Sequence, residues 1–432
     1  MAPSGVRVVL AVALALAAAG APAARAQSPP AGRATVEELV ARAVAENPEI
    51  LAAQADAEAA RGRLLQAGLR PNPMLDLGGQ KAVSSDNNIS VGLTIPLDLN
   101  RRKEGRVGVA ERELEMKRAQ VVDRERRLRA EVRTKAADLL AARRDLDVGD
   151  ELLRVNRDAL ALVGERARRG AVPALEENLL LVEVNRLDAN RRMVASRVEV
   201  FTFQLKALTA WPAESPLTLY GDLTTTPSTP DRAAGLTTAL EQRSDLRVAQ
   251  ADAAMARAKI LKEQADGRWD ASLSVSYQRQ DFGFGGLSGI TDRGGTRPIQ
   301  DVFNYFGGSV TITLPVRNRN QGNVAAARAE ATAADRRVEL ATLTIRQEVN
   351  AAFTQYEAAR RSLEIYMRGV RDVARQNLDV VRQSYALGRG SLLDVIAEQR
   401  RYIEIEMGYT DVLKQVYTAA VEIERAVGTA TR

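Results

Sequence analysis

The sequence predicts a mainly α fold with a small transmembrane β portion. It is internally duplicated, with four strands per chain, so that three copies would form a trimeric α-helical barrel and a β-barrel of about twelve strands. Three observations carry this reading: a repeat, heptad patterning over very long segments, and short stretches that alternate with period two.

The repeat sets the architecture. Ala53-Gln54-Ala55-Asp56-Ala57 recurs as Ala249-Gln250-Ala251-Asp252-Ala253, and Arg61 matches Arg257. Gly105 and Glu131-Val132 match Gly322 and Glu348-Val349, each at an offset of 217. Near the end of each half, Gly170-Ala-Val-Pro-Ala-Leu-Glu176 matches Gly388-Arg-Gly-Ser-Leu-Leu-Asp394. Each half reads as a helix (35–69 and 233–265), two strands, a very long helix (105–168 and 322–387), a sharp turn and a return helix (174–209 and 392–427). The division is therefore a first repeat over 27–210, a Pro- and Thr-rich linker over 211–230 and a second repeat over 231–432.

The long helices carry a coiled-coil seam. Val132, Leu139, Leu146, Leu153 and Leu160 are spaced by seven, as are Leu114, Val121 and Leu128, with a four-residue step between the two series. The second half repeats the step, from Ala331, Val338 and Ile345 to Val349, Tyr356, Leu363 and Val370. Such a stutter locally unwinds a left-handed supercoil, so both helices are expected to bend alike. The helix over 105–168 spans roughly 96 Å at about 1.5 Å per residue. The two shorter helices of its half, stacked end to end, match that height. A plain coiled-coil rod shares these features, and helices alone do not exclude it.

The strands separate the two. Ile89, Val91, Leu93 and Ile95 interleave with Ser90, Gly92 and Thr94. Leu273, Val275 and Tyr277 interleave with Ser272, Ser274 and Ser276, and Val310, Ile312 and Leu314 with Ser309, Thr311 and Thr313. A weaker fourth strand covers 74–79. One face is aliphatic and the other small and polar, as for a wall between lipid and a water-filled lumen. Tyr277, Phe282, Phe284, Phe303, Tyr305 and Phe306 cluster around the second strand pair, which suits an interfacial aromatic girdle. Outer loops are expected at 81–87 and at the Gly-rich 280–304. Four strands cannot close a conducting barrel, and an open edge cannot face lipid, so the chain must oligomerise.

The termini and composition narrow the compartment and the chemistry. Arg7, the apolar run from Val8 to Ala19 and Ala24-Arg25-Ala26 read as a signal peptide over 1–26, with the mature chain starting at Gln27. Beyond it no run of about 18 apolar residues occurs. Hydrophobic residues make up 45% but aromatics only 4%, which fits thin apolar seams better than a thick core. Cys and His are absent, which removes lipidation at the cleavage site, disulfides, the commonest general base and the usual transition-metal ligands. The net charge of +6 is spread beside acids along the helices, which reads as solvated faces and not as a nucleic-acid surface. The basic runs Asn100-Arg-Arg-Lys103 and Arg317-Asn-Arg319 follow the strand-closing prolines and read as interfacial anchors or as charge selection at the barrel mouth. Asp281-Phe282-Gly283 lacks the surroundings of a kinase site. No nucleophile–base pair is apparent. No enzyme, no catalytic residue, no cofactor and no resident metal is expected.

Over essentially all of the mature chain, the sequence resembles the TolC-like outer-membrane efflux protein family. The resemblance rests on the duplication, on Pro96 and Pro315 ahead of the long helices, and on the two helical tips, above all Tyr385-Ala-Leu-Gly388-Arg-Gly-Ser-Leu-Leu-Asp394-Val-Ile. Pro315-Val-Arg-Asn-Arg-Asn-Gln-Gly322-Asn is similar to the cation-efflux, CzcC-like branch. The resemblance implies a homotrimer in outer-membrane lipid, with a tunnel through the periplasm. It also implies docking to a periplasmic adaptor (membrane fusion) protein and an inner-membrane RND-type pump. It further implies a periplasmic gate at Asp394, Glu176 and Tyr385, with Arg389 and Glu398 beside the positions that here hold Gly390 and Ala397. The alternative for Asp394 is a helix cap. Gly170, Gly388 and Ser391 mark the tips, read either as tight turns or as adaptor-docking points. The implied function is a passive exit duct, with metal cations as cargo. The alternatives are a duct for drugs and organic compounds or for type I protein secretion, and, from another class, a periplasmic coiled-coil adaptor or structural protein.

Overall fold

The computed structural model describes residues 32–81 and 86–428, and the backbone but not the side chains of residues 284–286, 298 and 300. The expected signal peptide and start at Gln27 lie outside the described residues, as do 82–85 of the expected outer loop and the side chain of Phe284.

The elements in order are β1 (Arg33–Thr35), α1 (Val36–Glu46), α2 (Pro48–Gly68), β2 (Met74–Lys81), β3 (Asn87–Pro96), α3 (Arg102–Arg168) and α4 (Ala174–Leu208). Then come β4 (Thr218–Tyr220), α5 (Arg232–Gln242), α6 (Ser244–Asp266), β5 (Asp270–Ile290), β6 (Thr296–Thr313), α7 (Gln321–Ile365), α8 (Arg371–Ala386) and α9 (Leu392–Val427). The fold is mainly α with a small β portion. At 67 residues, α3 is about 100 Å long at about 1.5 Å per residue.

Strands and helices share one order. The sheet runs β2-β3-β5-β6 with antiparallel neighbours. The helices attached to those strands pack side by side as α2, α3, α6 and α7. Four strands therefore continue directly into a wall of four helices. In the other half of the wall α4 lies against α3, and α9 lies between α3 and α7.

Three of the expected helices differ from the sequence reading. The helix expected over 35–69 is two, α1 and α2, because Asn47 leaves the helical conformation and caps α2 ahead of Pro48. The one expected over 233–265 likewise divides at Arg243 into α5 and α6. Both breaks fall where a return helix ends. Asn47 Nδ2 donates to the Leu208 carbonyl (2.8 Å), and Arg42 donates to the carbonyls of Thr209 (3.2 Å) and Ala210 (3.1 Å), satisfying the last turn of α4. At the end of α9, Arg126 of α3 donates to the Arg425 carbonyl (2.7 Å) and Arg243 to that of Ala426 (3.3 Å). The breaks thus seat one short helix on the end of the other.

The third difference is in the helix expected over 322–387. It is interrupted by a π turn over Tyr366–Val370, with Gly369 at φ 135. The extra residue shifts the buried phase, so Val370 is partly exposed and Ala374 and Leu378 are buried instead. α3 has no such break, so the two long helices do not bend alike. Tyr366, the first residue of the turn, crosses α9 at Gly408, where an added Cβ would sit 2.5 Å from its hydroxyl.

The core lies where the short helices meet. Leu39, Val40, Val132, Leu139, Leu205 and Val421 are buried with Trp211, Leu217, Leu219 and Leu223 of the 211–230 segment. That segment is held by β4, which pairs in parallel with β1 through Ala34 and Leu219. The pseudo-equivalent cluster holds Ala239, Ile345, Val349, Phe353 and Ile423.

The β5–β6 hairpin corrects two further expectations. Most of 280–304 is strand and not loop, since β5 continues to Ile290 and β6 begins at Thr296. The aromatic cluster is also divided. Direct cross-strand partners share a face, and the face alternates along each strand. Tyr277 opposes Phe306 and Val91, on the aliphatic face. Phe303 opposes Gln280, Tyr305 opposes Gln278 and Phe282 opposes Asp301, which puts all three rings on the polar face.

Candidate functional site

The two helical tips, the α3–α4 turn and the α8–α9 turn, come together at one end of the wall. Each turns on a glycine in the left-handed region, Gly170 at φ 73 and Gly388 at φ 71. An apolar knot joins them: Val163 from α3, Leu180 from α4, and Leu392 and Ile396 from α9, with Tyr385 packed against it.

Glu176 and Asp394 occupy the same helical position, third in their return helices, yet make different bonds. The N-cap of α9 is Ser391. Its hydroxyl accepts from the Asp394 N–H (3.2 Å) and donates to Asp394 Oδ2 (2.9 Å), while the Ser391 N–H donates to the same oxygen (3.2 Å). This is a reciprocal capping box. The N-cap of α4 is Pro173, which has no hydroxyl to offer. Glu176 instead reaches the other tip and accepts a 2.6 Å hydrogen bond from Tyr385 Oη. Burial, reinforced by the Glu176 carboxylate, pushes the Tyr385 phenol up to about 12.

The remaining expected site residues are not joined to this contact. Arg389 is exposed at the turn, with its N–H bonded to the Ser384 carbonyl (2.9 Å). Glu398 pairs with Arg401 of its own helix (3.3 Å). Asp394 is solvent-exposed even though its carboxylate caps the helix.

Two of the buried carboxylates, Glu183 and Glu406, each hold guanidinium groups in a way the sequence did not announce. Glu183 is 1% exposed and takes bonds from Arg186 of α4 (2.6 Å) and Arg400 of α9 (2.8 Å). Burial alone would raise its pKa; the two guanidinium groups outweigh that and hold it below the ordinary value. Glu406 of α9 accepts from Arg371 (2.9 and 3.1 Å), whose guanidinium lies 4.3 Å from the Tyr409 ring centre, with Arg144 on the same ring at 5.1 Å. The available signal was a polar residue on an apolar stripe: Glu183 sits between Leu180 and Leu187, and Glu406 between Ile396 and Leu413.

The arrangement latches two helical hairpins together and, among the described residues, assembles no reactive pair. No helix among the described residues is long and apolar enough to cross a membrane.

A sequence model of the family described as outer membrane efflux protein matches residues 39–211 and 235–429. The chain is 25% identical over 402 residues to the cobalt-zinc-cadmium resistance protein CzcC of Cupriavidus metallidurans, covering 92% of this chain and 91% of that protein. Its fold is similar to the Campylobacter jejuni CmeC outer membrane channel, with a TM-score of 0.76, 14% identity, and coverage of 91% of this chain and 85% of that one. It is also similar to the outer membrane protein VceC of Vibrio cholerae, with a TM-score of 0.69, 17% identity, and coverage of 91% and 96%.

Proposed function

Because the chain belongs to the outer membrane efflux protein family, we propose that it is the exit duct of a tripartite system, passing metal cations from an inner-membrane RND-type pump and its periplasmic adaptor. Members of this family are channels of the cell outer membrane whose helical tunnel extends into the periplasm, and they conduct passively without catalysing a reaction.

The observation that carries the duct is the shared order of strands and helices. The chain is one continuous strip of wall, open along β2 and α2 on one flank and along β6 and α7 on the other. Strand edges cannot stay unpaired in lipid, so the strip closes on copies of itself, and three copies give about twelve strands. Exposed apolar side chains support closure in the helical part too, among them Met193 and Phe203 of α4 and Val373 and Val380 of α8.

The tips supply the gate of this reading. Glu176 and Tyr385 latch the two hairpins of one chain. Asp394, exposed on a tip in each of three copies, would repel its counterparts near the axis and attract cations there. Arg389 and Glu398 contribute charge around it. Gly170, Gly388 and Ser391 form the apices to which the adaptor docks. The metal cargo is supported by likeness to a cobalt-zinc-cadmium resistance protein over 92% of the chain. A second reading, organic compounds as cargo, is favoured by the three aromatic rings on the polar face of the sheet.

Deleting the gene and comparing growth on cobalt, zinc and cadmium salts with growth on organic drugs tests the cargo. Hypersensitivity to the metals, restored by the gene, is expected. Hypersensitivity to the drugs alone would overturn the metal reading. A heat-labile trimer in outer-membrane extracts is expected of the duct, and a periplasmic monomer would sink it.

A further inference from the structure

We propose that Phe282, Phe303 and Tyr305, with the carboxylate of Asp301, form a contact site for lipophilic organic cations inside the barrel near its outer mouth. The site rests on the duct reading, which makes the polar face of the sheet the lumen.

The register makes the assignment. Thr94 Oγ1 lies 3.1 Å from Ser274 Oγ and donates to Asp76 Oδ2 at 3.4 Å, so β2, β3 and β5 present these polar groups on one side. Phe303 and Tyr305 share that side, being opposite Gln280 and Gln278 of β5. Their rings contact one another: Phe282 and Phe303 meet edge to face at 6.0 Å, and Phe303 stacks on Tyr305 at 6.4 Å. Tyr277 and Phe306, whose centroids are 5.1 Å apart, form a separate pair on the aliphatic side.

A lipid-facing girdle does not explain the trio. Neither does packing, since Phe282 and Phe303 are each 38% exposed and Tyr305 is 47% exposed. Phe303 and Tyr305 stand on rungs that all four strands share, and Phe282 and Asp301 lie just past the last of those rungs, so the trio occupies the end of the sheet away from the helices. A barrel of about twelve strands, spaced about 4.8 Å and tilted about 40°, is roughly 24 Å across at the backbone. Three copies of the trio narrow it with aromatic surface without sealing it.

Charge selects the ligand class. Asp301 lies directly across from Phe282, and Asp76 is on the same face. Among the described residues, that face carries no basic side chain from Ser272 to Phe282 of β5 or on the strands paired with that stretch; Arg279 and Lys81 fall on the other face. Aromatic faces beside carboxylates in a field of one sign favour a cation with a large apolar surface over an anion or a small hydrated metal ion.

Purified trimer in planar bilayers tests this, with tetraphenylphosphonium chloride added to both compartments. Wild-type KCl conductance is expected to be blocked. The Phe303→Leu/Tyr305→Leu variant, which keeps apolar bulk but loses the π faces, is expected to need about tenfold more blocker. Asp301→Asn is expected to weaken block as well, and Phe306→Leu, on the opposite face, to leave it unchanged. Conductance without block, equal block in the double-Leu variant, or a loss in Phe306→Leu as large as in that variant would overturn the site. A wild-type protein that does not conduct at all would instead overturn the duct.

Discussion

Tyr385 Oη stands 2.6 Å from Glu176 Oε2, a contact that ties the second helical tip to the first across 209 residues of chain. It exists because Pro173 gives Glu176 no N-cap partner, whereas Ser391 holds Asp394 to its own helix. Duplicated positions have thus taken different work, one as a latch between hairpins and the other as a cap that leaves a carboxylate at the surface.

Breaking the latch should loosen the tips without unfolding the wall. Tyr385→Phe and Glu176→Gln are each expected to cost about 1.5–3 kcal/mol at the tip, the range for a hydrogen bond to a charged group. Single-channel recording should show more frequent or larger openings in both, and a double variant should add little. Wild-type conductance in Tyr385→Phe would remove the contact from gating.

The same bond has a pH window. The Tyr385 phenol rises from an ordinary 10.0 to about 12, so folding favours its protonated form. Its contribution is fully present below about pH 10 and is lost as pH rises toward 12. Burial also raises Tyr402 and Tyr417, so ultraviolet titration should show several tyrosines ionising late, and Tyr385→Phe should remove one of them.

Cap and gate can be separated at Asp394. Ser391→Ala should cost about 0.5–2 kcal/mol of helix stability but leave the carboxylate exposed and able to bind a blocking lanthanum(III) ion. Asp394→Ala should lose both. If block by lanthanum survives Asp394→Ala, the residue is a cap alone.

Arg243 is the buried pin of the second repeat. It is 1% exposed and bonds Asp245 (2.9 and 2.5 Å), Glu348 (2.8 Å) and the Ala426 carbonyl (3.3 Å). Arg243→Ala removes a buried donor from Asp245, Glu348 and the end of α9 at once, and a loss of about 3–5 kcal/mol is expected. Thermal dissociation of the trimer measures it, and a melting temperature equal to wild type would contradict this account.

Gly267 lies at the hinge between helix and barrel, where a Cβ would meet the Arg319 carbonyl oxygen at 2.3 Å. Backbone cannot give way as a side-chain end can, so Gly267→Ala should lower trimer stability by about 1–3 kcal/mol. Gly322→Ala, with nothing within 4 Å, should be neutral. Equal melting of the two variants would place the hinge elsewhere.

Periodicity and repetition in the sequence determined most of the architecture, because both are one-dimensional. Heptads at Val132 and Val349 announce long helices, alternation at Ile89 to Ile95 announces a two-faced strand, and the constant offset between halves announces duplication. The sequence also held local signals that the simpler pattern masked, such as Asn47-Pro48 at a helix break and Glu183 on an apolar stripe.

Tertiary structure decided what depends on registration between distant segments. Which aromatic rings face the polar side of the sheet follows from cross-strand pairing, since a shift of one residue would exchange the faces. Whether Glu176 caps its own helix or bonds Tyr385 follows from where the second tip arrives. The π turn at Gly369 coincides with Tyr366 meeting Gly408 on another helix. Each joins residues far apart in the chain, and no local propensity encodes that proximity.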